Sequence, residues 1–289
     1  MENRKLNALV RKQETEGRRK LSVKLSSSDR KTALLTGASS GIGYELAKTF
    51  AKEGHNVVLV ARNQGALETL AKELQRNHPI SAVVIPADLS DPSTPGQIRE
   101  VLSKESVPVD YLVNNAGFQV RGLFQEADLK TQLSMMQVNM IALVSLTRLF
   151  IDDMVKRGNG GILNLASTAA FLPGPLMAVY YATKAFVLSF SQALADELRN
   201  TGVKVTALCP GPTRTEFASH FGTENSRLFR GAVMDPETVA FAGFEGLMKG
   251  KRVVVPGIRN RTLTTVTRLI PSRFLIPTVR KLNEDSFEN

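Results

Sequence analysis

Two adjacent tyrosines, Tyr180 and Tyr181, precede Lys184 by four and by three positions. In a helix, side chains three or four residues apart share a face, so either hydroxyl can lie beside the lysine. A tyrosine hydroxyl has an ordinary pKa of about 10, and a neighbouring ammonium favours the phenolate and lowers that pKa. Such a hydroxyl can supply the proton that an alkoxide takes up when a hydride reduces a carbonyl. The spacing therefore predicts a proton donor for carbonyl reduction.

The second candidate site is a glycine-rich turn, TGASSGIG at 36–43, between a predicted strand and a predicted helix. Gly37 permits a tight turn, a residue without Cβ lets the backbone approach a pyrophosphate, and the helix N-terminus adds a positive dipole end. The spacing is Gly-x3-Gly-x-Gly rather than the commoner G-x-G-x-x-G. The turn predicts a dinucleotide phosphate site formed by Gly37, Ser39, Ser40, Gly41, Ile42 and Gly43.

The same turn supports a different chemistry. Residues 37–41 match G-x-S-x-G, the strand-to-helix turn that carries the nucleophile of serine hydrolases, with Ser39 in the nucleophile position. A hydrolase also needs an acid and a histidine downstream. His55 follows a helix-ending glycine and His78 precedes a proline, so both are expected in exposed loops. This leaves His220 as the candidate base, in a loop with no compelling acid partner. A serine hydrolase therefore stays open as an alternative function.

The elements that must position these residues alternate along the chain. The predicted strands are 32–38, 56–62, 81–88, 110–117, 161–167, 203–210 and 252–257. The predicted helices are 45–54, 66–77, 97–105, 131–157, 179–200 and 235–250. Alternating strands and helices predict an α/β fold, a doubly wound sheet with parallel strands. Ligands of such sheets bind beyond the carboxyl ends of the strands.

Composition sets the class of protein. The chain has 289 residues, 43% of them hydrophobic, which excludes disorder throughout. Cys209 is the single cysteine, so no intrachain disulfide is possible and a reducing, cytoplasmic location is expected. No uninterrupted apolar run reaches the ~18 residues of a membrane span. The first residues are polar and charged, so no secretory signal is expected.

The positive charge lies at the two ends of the chain. The net charge is +10, with +6 in residues 1–31, +6 in 249–289 and −2 in the middle. We therefore expect a flexible basic arm at 1–31, a catalytic domain at 32–257 and a C-terminal extension at 258–289. Because the central domain is slightly acidic, nucleic acid is excluded as its substrate.

The C-terminal extension interleaves basic and apolar residues over 258–281, and Pro271 and Pro277 are expected to break any long helix there. Such a segment can lie on an anionic membrane surface, to which the basic arm can add. Alternatively, its apolar residues cover the substrate pocket or a subunit contact while the cations face water. We favour the second interpretation and keep weak membrane contact as the alternative.

Several short motifs follow one another along the chain in a characteristic order. They are TGASSGIG (36–43), ADLS (87–90), NNAG (114–117), Ser167, YYATK (180–184) and PGPTRTEF (210–217). Over residues 32–257 the chain resembles the short-chain dehydrogenases/reductases. The resemblance implies a Rossmann-type fold and an oxidoreductase that interconverts a carbonyl compound and its alcohol by hydride transfer. It implies no metal. A catalytically silent dinucleotide-binding sensor or scaffold is a further alternative.

The resemblance also implies roles for particular residues. The family pattern Tyr-x-x-x-Lys selects Tyr180 as the general acid/base and Lys184 as its partner, and both also contact the cofactor. Ser167 is implied on the substrate oxygen, and Asn139 is implied to hold a water that links the lysine to solvent. The other implied cofactor contacts are Asp88, Leu89, Asn115, Ala116, Gly117, Pro210, Gly211, Thr213 and Thr215.

The expected cofactor is NADPH. The predicted strand 56–61 ends at Ala61, where NAD-preferring relatives carry an acid for the ribose 2′-hydroxyl. Arg62 follows instead, and a guanidinium suits a 2′-phosphate.

Apolar residues predict the class of substrate and the oligomeric state. The predicted pocket loops carry Phe171, Leu172, Pro173, Pro175, Leu176, Met177, Phe217, Phe221, Phe229 and Met234, which favours a bulky hydrophobic carbonyl or alcohol. Helices 131–157 and 179–200 carry more apolar residues than one sheet contact needs. They predict a homodimer or homotetramer.

Overall fold

The computed structural model describes residues 30–215, 233–267 and 269–284. The predicted arm therefore lies outside the described residues, apart from its last two positions. The pocket candidates Phe217, Phe221 and Phe229 and the candidate base His220 also lie outside them.

One parallel sheet forms the centre of the fold. In chain order its strands β1 to β7 are Thr32–Thr36, Asn56–Ala61, Ala82–Pro86, Tyr111–Asn114, Gly160–Leu165, Val203–Leu208 and Val253–Val254. Their order across the sheet is β3-β2-β1-β4-β5-β6-β7, and all neighbours pair in parallel. The strand order reverses between β1 and β4, which is where doubly wound sheets bind ligands. The prediction of a single Rossmann-type α/β domain is confirmed.

Helices cover both faces of this sheet. In chain order α1 to α9 are Gly41–Lys52, Gln64–Asn77, Thr94–Lys104, Leu129–Met136, Leu143–Arg157, Ala178–Glu197, Pro236–Met248, Ile258–Val266 and Ser272–Asn283. Helices α1, α2 and α7 pack on one face, and α3, α5 and α6 pack on the other. In β2, Val57 and Leu59 join the first core cluster while Val58 and Val60 join the second. Burial on both faces explains why this strand is apolar at successive positions.

The predicted helix 131–157 is longer and less regular in the structure. It runs from Leu129 to Arg157, with a π-helical stretch, Gln137–Ala142, between α4 and α5. By length and composition alone this helix could cross a membrane. Its residues Leu146, Phe150 and Met154 are buried against the sheet, so it forms one layer of the fold.

Two expectations about local structure, one on Pro277 and one on the histidines, are wrong. Pro277 does not break a helix, because it lies inside α9. Leu275 and Val279 are buried on either side of it, and this packing offsets the backbone hydrogen bond that proline cannot make.

The two described histidines, His55 and His78, are half-buried rather than exposed. The His55 ring lies 5.7 Å from the ring of Phe50 and 5.1 Å from the ring of Tyr111, centroid to centroid. The loop that carries His55 folds back onto aromatic residues of the core, which the local sequence does not encode.

Candidate active site

The glycine-rich turn is built by close backbone packing at the end of β1. Gly37 has a φ of +64°, a left-handed conformation that favours glycine. A Cβ at Gly43 would overlap the carbonyl oxygen of Gly37. The Asn115 side-chain amide donates hydrogen bonds to the carbonyls of Thr36 and Gly37, at 2.9 and 3.1 Å. The turn is therefore tightly packed, and Asn115, directly after the neighbouring strand β4, holds it by hydrogen bonds.

Thr36 is a contributor that the sequence analysis missed. Its hydroxyl accepts hydrogen bonds from the backbone N–H groups of Asn115 and Ala116, both at 3.0 Å, and donates to the carbonyl of Val113. The threonine directly before the first glycine was the only available signal. These contacts bring the NNAG segment under the turn, at the carboxyl ends of the neighbouring strands β1 and β4.

The N-terminus of α1 opens onto this turn. Helix α1 begins at Gly41, has no acidic residue in its first turn, and receives no side-chain hydrogen bond from Ser40. A helix end of this kind attracts a phosphate. A Cβ at Gly41 would lie 3.0 Å from the Thr215 methyl carbon, so Thr215 also borders the turn. The absence of side chains at Gly37, Gly41 and Gly43 suits a dinucleotide pyrophosphate.

Ser167 and Tyr180 meet beyond the end of β5. Ser167 caps a short 3-10 helix, Thr168–Phe171, by accepting a hydrogen bond from the Ala169 N–H at 3.1 Å. Its hydroxyl donates to the carbonyl of Pro210 at 3.5 Å. Tyr180 lies in the first turn of α6, and its phenol interacts with the Ser167 side chain.

Burial raises the pKa of Tyr180 above its ordinary value, and the neighbouring Tyr181 raises it further. The hydrogen bond with Ser167 lowers the pKa but does not offset burial. The expected lowering by Lys184 is therefore not seen. The Lys184 ammonium lies 5.7 Å from the Tyr180 ring centroid and donates to the carbonyl of Leu165 at 2.8 Å. The hydrogen bond with Ser167, and not the Lys184 charge, lowers the pKa of the phenol in this arrangement.

Lys184 is itself a buried charge, with 4% of its surface exposed. Burial lowers the pKa of Lys184 from 10.5 to about 8. A Cβ at Gly117 would lie 3.6 Å from its Nζ and 3.0 Å from Asn139 Oδ1, so the lysine, the asparagine and the NNAG segment converge.

Asn139 lies in the π-helical stretch between α4 and α5. Its Oδ1 accepts from the Phe118 N–H at 3.0 Å, and its Nδ2 donates to the Phe118 carbonyl at 2.9 Å and to Thr183 Oγ1 at 3.1 Å. The side chain thus clamps the segment after β4 to α6. Asparagine is a poor helix former, and at this position its side chain is used for tertiary hydrogen bonds instead.

The remaining cofactor candidates line the same edge of the sheet. Arg62 is exposed directly after β2. Asp88 is exposed and accepts a hydrogen bond from the Ser90 N–H at 2.9 Å, while Leu89 is buried. Thr213 is buried and donates to the Gly211 carbonyl at 2.9 Å.

The geometry separates Ser39 from the described histidines. His55 precedes β2 and Ser39 follows β1, and these strands are parallel, so the two residues lie at opposite edges of the sheet. The five-residue strand β1 separates these two edges by roughly 16 Å. His78, between α2 and β3, lies at the His55 edge. Among the residues that the structure describes, no histidine is placed to activate Ser39.

A family model described as short chain dehydrogenase matches residues 31–226. The ketoacyl reductase HetN of Nostoc sp. is 32% identical over 241 residues, which is 83% of this chain and 79% of that protein.

Solved structures share the fold. A short-chain dehydrogenase from Sphingobium yanoikuyae in complex with NADPH has a TM-score of 0.74 and 33% identity, over 82% of this chain and 94% of that one. The bulky-bulky ketone specific alcohol dehydrogenase from Comamonas testosteroni has a TM-score of 0.71 and 31% identity, over 83% and 93% of the two chains. A short chain dehydrogenase/reductase from Burkholderia phymatum in complex with NAD shares the fold at a TM-score of 0.73 and 24% identity, over 83% and 92% of the chains.

Proposed function

The chain belongs to the short-chain dehydrogenase family of oxidoreductases, and from that premise we propose that it reduces a bulky hydrophobic carbonyl compound to its alcohol with NADPH. The observation that carries the proposal is the meeting of Ser167 and Tyr180 above the buried Lys184.

The proposed mechanism assigns one task to each side chain. The dinucleotide supplies the hydride when bound. Ser167 donates a hydrogen bond to the substrate oxygen and stabilises the charge that develops there. Tyr180 donates the proton, and because burial raises its pKa it is protonated at neutral pH, which suits the reduction direction. The Lys184 ammonium, 5.7 Å from the ring, stabilises the phenolate that proton donation leaves.

The proposed substrate class rests on the apolar surroundings of Tyr180. Tyr180 and Leu172 pack against a buried cluster that includes Ala169 and Met177. This apolar surface favours a hydrophobic substrate over a small polar one. The named specificity of the Comamonas testosteroni enzyme for bulky-bulky ketones supports the same class.

The proposed preference for NADPH rests on the end of β2. Ala61 offers no carboxylate to a ribose 2′-hydroxyl, and the exposed Arg62 suits a 2′-phosphate. The Sphingobium yanoikuyae structure, which was solved with NADPH, supports this preference.

We also propose a homo-oligomer in the cytoplasm. Leu129, Leu133 and Ile141 are exposed on the helix that runs from α4 to α5. On α6 the rings of Phe186 and Phe190 stack in parallel with centroids 5.9 Å apart, and both are half-buried. Pairing of these helices between subunits would cover the apolar surface. Light scattering at micromolar concentration should give at least a dimer, and a monomer would contradict the proposal.

We propose, secondly, that the C-terminal helices make weak contact with a membrane surface. The exposed apolar side chains there are Ile258, Leu263, Val266, Leu269, Ile270, Phe274, Ile276 and Leu282. The exposed cations beside them are Arg259, Arg261, Arg273, Arg280 and Lys281. Such a surface suits an anionic bilayer. The protein should sediment with phosphatidylserine vesicles at low salt and be released at high salt. A protein that stays in the supernatant at low salt excludes the contact.

The main experiment measures NADPH oxidation over a panel of carbonyl compounds, with an ester panel in parallel. We expect reduction of bulky ketones or aldehydes and no ester hydrolysis. Tyr180→Phe should lose nearly all turnover and keep NADPH binding, while the matched variant Tyr181→Phe should keep most turnover. Ester hydrolysis would favour the Ser39 alternative, and NADPH binding without any turnover would favour a sensor. A dead Tyr181→Phe with an active Tyr180→Phe would refute the assignment of the donor.

A further inference from the structure

The C-terminal helix α9 packs against the active site. Its residues Leu275 and Val279 are buried in one cluster with Met177 and Tyr181. Tyr180 packs against this same cluster. The helix is therefore in contact with the apolar surface beside the proposed proton donor, although it lies about a hundred residues away along the chain.

One residue of α9 makes two buried polar contacts in this region. Asn283 is 2% exposed. Its Oδ1 accepts a hydrogen bond from the Tyr181 hydroxyl at 3.1 Å. Its Nδ2 donates to the carbonyl of Pro175 at 2.9 Å. The amide thereby joins α9 to the residue next to Tyr180 and to the loop before α6.

The loop that Asn283 holds contains a strained turn. The Met177 N–H donates to the Gly174 carbonyl at 3.1 Å, which closes a four-residue turn with Pro175 and Leu176 in the centre. Leu176 has a φ of +67°, where glycine is preferred. A leucine stays in this conformation only if its surroundings hold it there.

Two hydrogen bonds from outside hold the strained residue on both sides. Asn283 holds the carbonyl of Pro175, and the Gly122 N–H donates to the carbonyl of Leu176 at 2.8 Å. The turn also touches Tyr181 directly, because a Cβ at Gly174 would overlap the Tyr181 ring. The position of this turn and the position of the two tyrosines are thus coupled.

We propose that Asn283 is a positioning residue for the active site: it holds the 174–177 turn in its strained conformation and thereby shapes the apolar surface that receives a bulky substrate beside Tyr180. This proposal rests on the proposed carbonyl reduction for its substrate. Without the Asn283 amide, the Pro175 carbonyl loses its partner and Leu176 can relax out of the left-handed region. The substrate surface then moves, while the glycine-rich turn at the other end of the site is unaffected.

The test compares Asn283→Ala with Thr278→Ala. Thr278 lies on the exposed side of α9, and its hydroxyl donates within that helix to the Phe274 carbonyl, so its loss is the matched control. We expect Asn283→Ala to raise KM for bulky carbonyl compounds about tenfold, the size of effect that loss of a buried hydrogen-bond partner produces. The kcat and the Kd for NADPH should change less than about threefold, and Thr278→Ala should match the wild type.

Hydrogen exchange gives a second readout that needs no substrate. The backbone N–H groups of Leu172, Gly174, Leu176 and Met177 should exchange at least about tenfold faster in Asn283→Ala than in the wild type or in Thr278→Ala. The two prolines of this segment carry no N–H. If Asn283→Ala does not fold, Tyr181→Phe serves instead, because it removes one of the two hydrogen bonds and keeps the ring. It should raise KM about threefold and speed exchange in the same segment.

The outcomes separate this proposal from the proposed function. Unchanged KM and unchanged exchange in Asn283→Ala would overturn the positioning role. An equal fall in kcat for every substrate, together with weaker NADPH binding, would indicate a general loss of structure and would also overturn it. If the wild type reduces no carbonyl compound, the proposed function fails, and the exchange comparison still decides whether Asn283 holds the turn.

Discussion

Replacing Lys184 by methionine should abolish reductase activity and yet stabilise the fold at neutral pH. Lys184 is 4% exposed, and burial lowers its pKa from 10.5 to about 8. The difference between these pKa values corresponds to about 3 kcal/mol of unfavourable free energy for keeping the ammonium in the fold at neutral pH. Methionine has a similar shape and no charge, so it avoids this cost.

The hydrogen bond that the lysine makes reduces the gain. Lys184 Nζ donates to the Leu165 carbonyl at 2.8 Å, and leaving that carbonyl without its partner costs about 1 kcal/mol. The net stabilisation of Lys184→Met is then about 2 kcal/mol. For a domain of this size that corresponds to a rise in Tm of roughly 5 °C.

The pH dependence identifies the cause of the gain. Below the folded-state pKa of about 8, Lys184 is protonated in both the folded and the unfolded chain, so the wild type carries the full cost. Between that pKa and the unfolded value of 10.5, the unfolded chain keeps a proton that the fold releases, and wild-type stability rises with pH. The advantage of the variant should therefore shrink across this range.

Urea unfolding at about pH 7 and about pH 10 measures both effects. Lys72→Met, a matched change at an exposed position of α2, should alter stability by less than about 0.5 kcal/mol. A Lys184→Met variant that is less stable than the wild type at neutral pH would refute the reasoning. So would a gain that stays constant as the pH rises.

Three further predictions concern other parts of the chain. Arg62→Asp should raise KM for NADPH at least about tenfold and lower KM for NADH, which steady-state kinetics with both cofactors would measure. Equal catalytic efficiency of the wild type with NADPH and NADH would contradict the proposed preference for NADPH. Gly43→Ala should abolish NADPH binding in a titration, since its Cβ would overlap the Gly37 carbonyl oxygen, and near-normal affinity would count against the phosphate site. Burial lowers the pKa of His55, so the wild type should lose stability as the pH falls through the ordinary value of 6.5. His55→Phe should remove that loss in thermal unfolding, and an unchanged pH slope would refute it.

The fold could be predicted because its signals are local. Strand β2 is apolar at every central position since both of its faces are covered, and the glycine-rich turn needs residues without Cβ wherever backbones approach. The proposed catalytic pair could be found for the same reason, because Tyr180 and Lys184 lie one helical turn apart on α6. Patterns of this kind are read from neighbouring residues.

Protonation states could not be predicted in this way. The spacing of Tyr180 and Lys184 suggests an ammonium that lowers the pKa of the phenol, whereas burial raises that pKa in the structure. Desolvation depends on every element packed around the site, and residue spacing carries no information about it. His55 shows the same effect, since burial lowers its pKa and one of the rings that bury it, Tyr111, comes from a distant part of the chain.

The sequence by itself determined the parallel α/β sheet, the glycine-rich turn and the spacing of the tyrosines and the lysine, because each depends on contacts within a few residues. Only the tertiary structure decided that α9 continues through Pro277, that its residue Asn283 reaches the Pro175 carbonyl, and that Leu176 is held at a positive φ. The hydrogen bond between Asn283 and Pro175 joins segments about a hundred residues apart. Their free energy comes from burial and hydrogen bonds that exist only after the chain has folded.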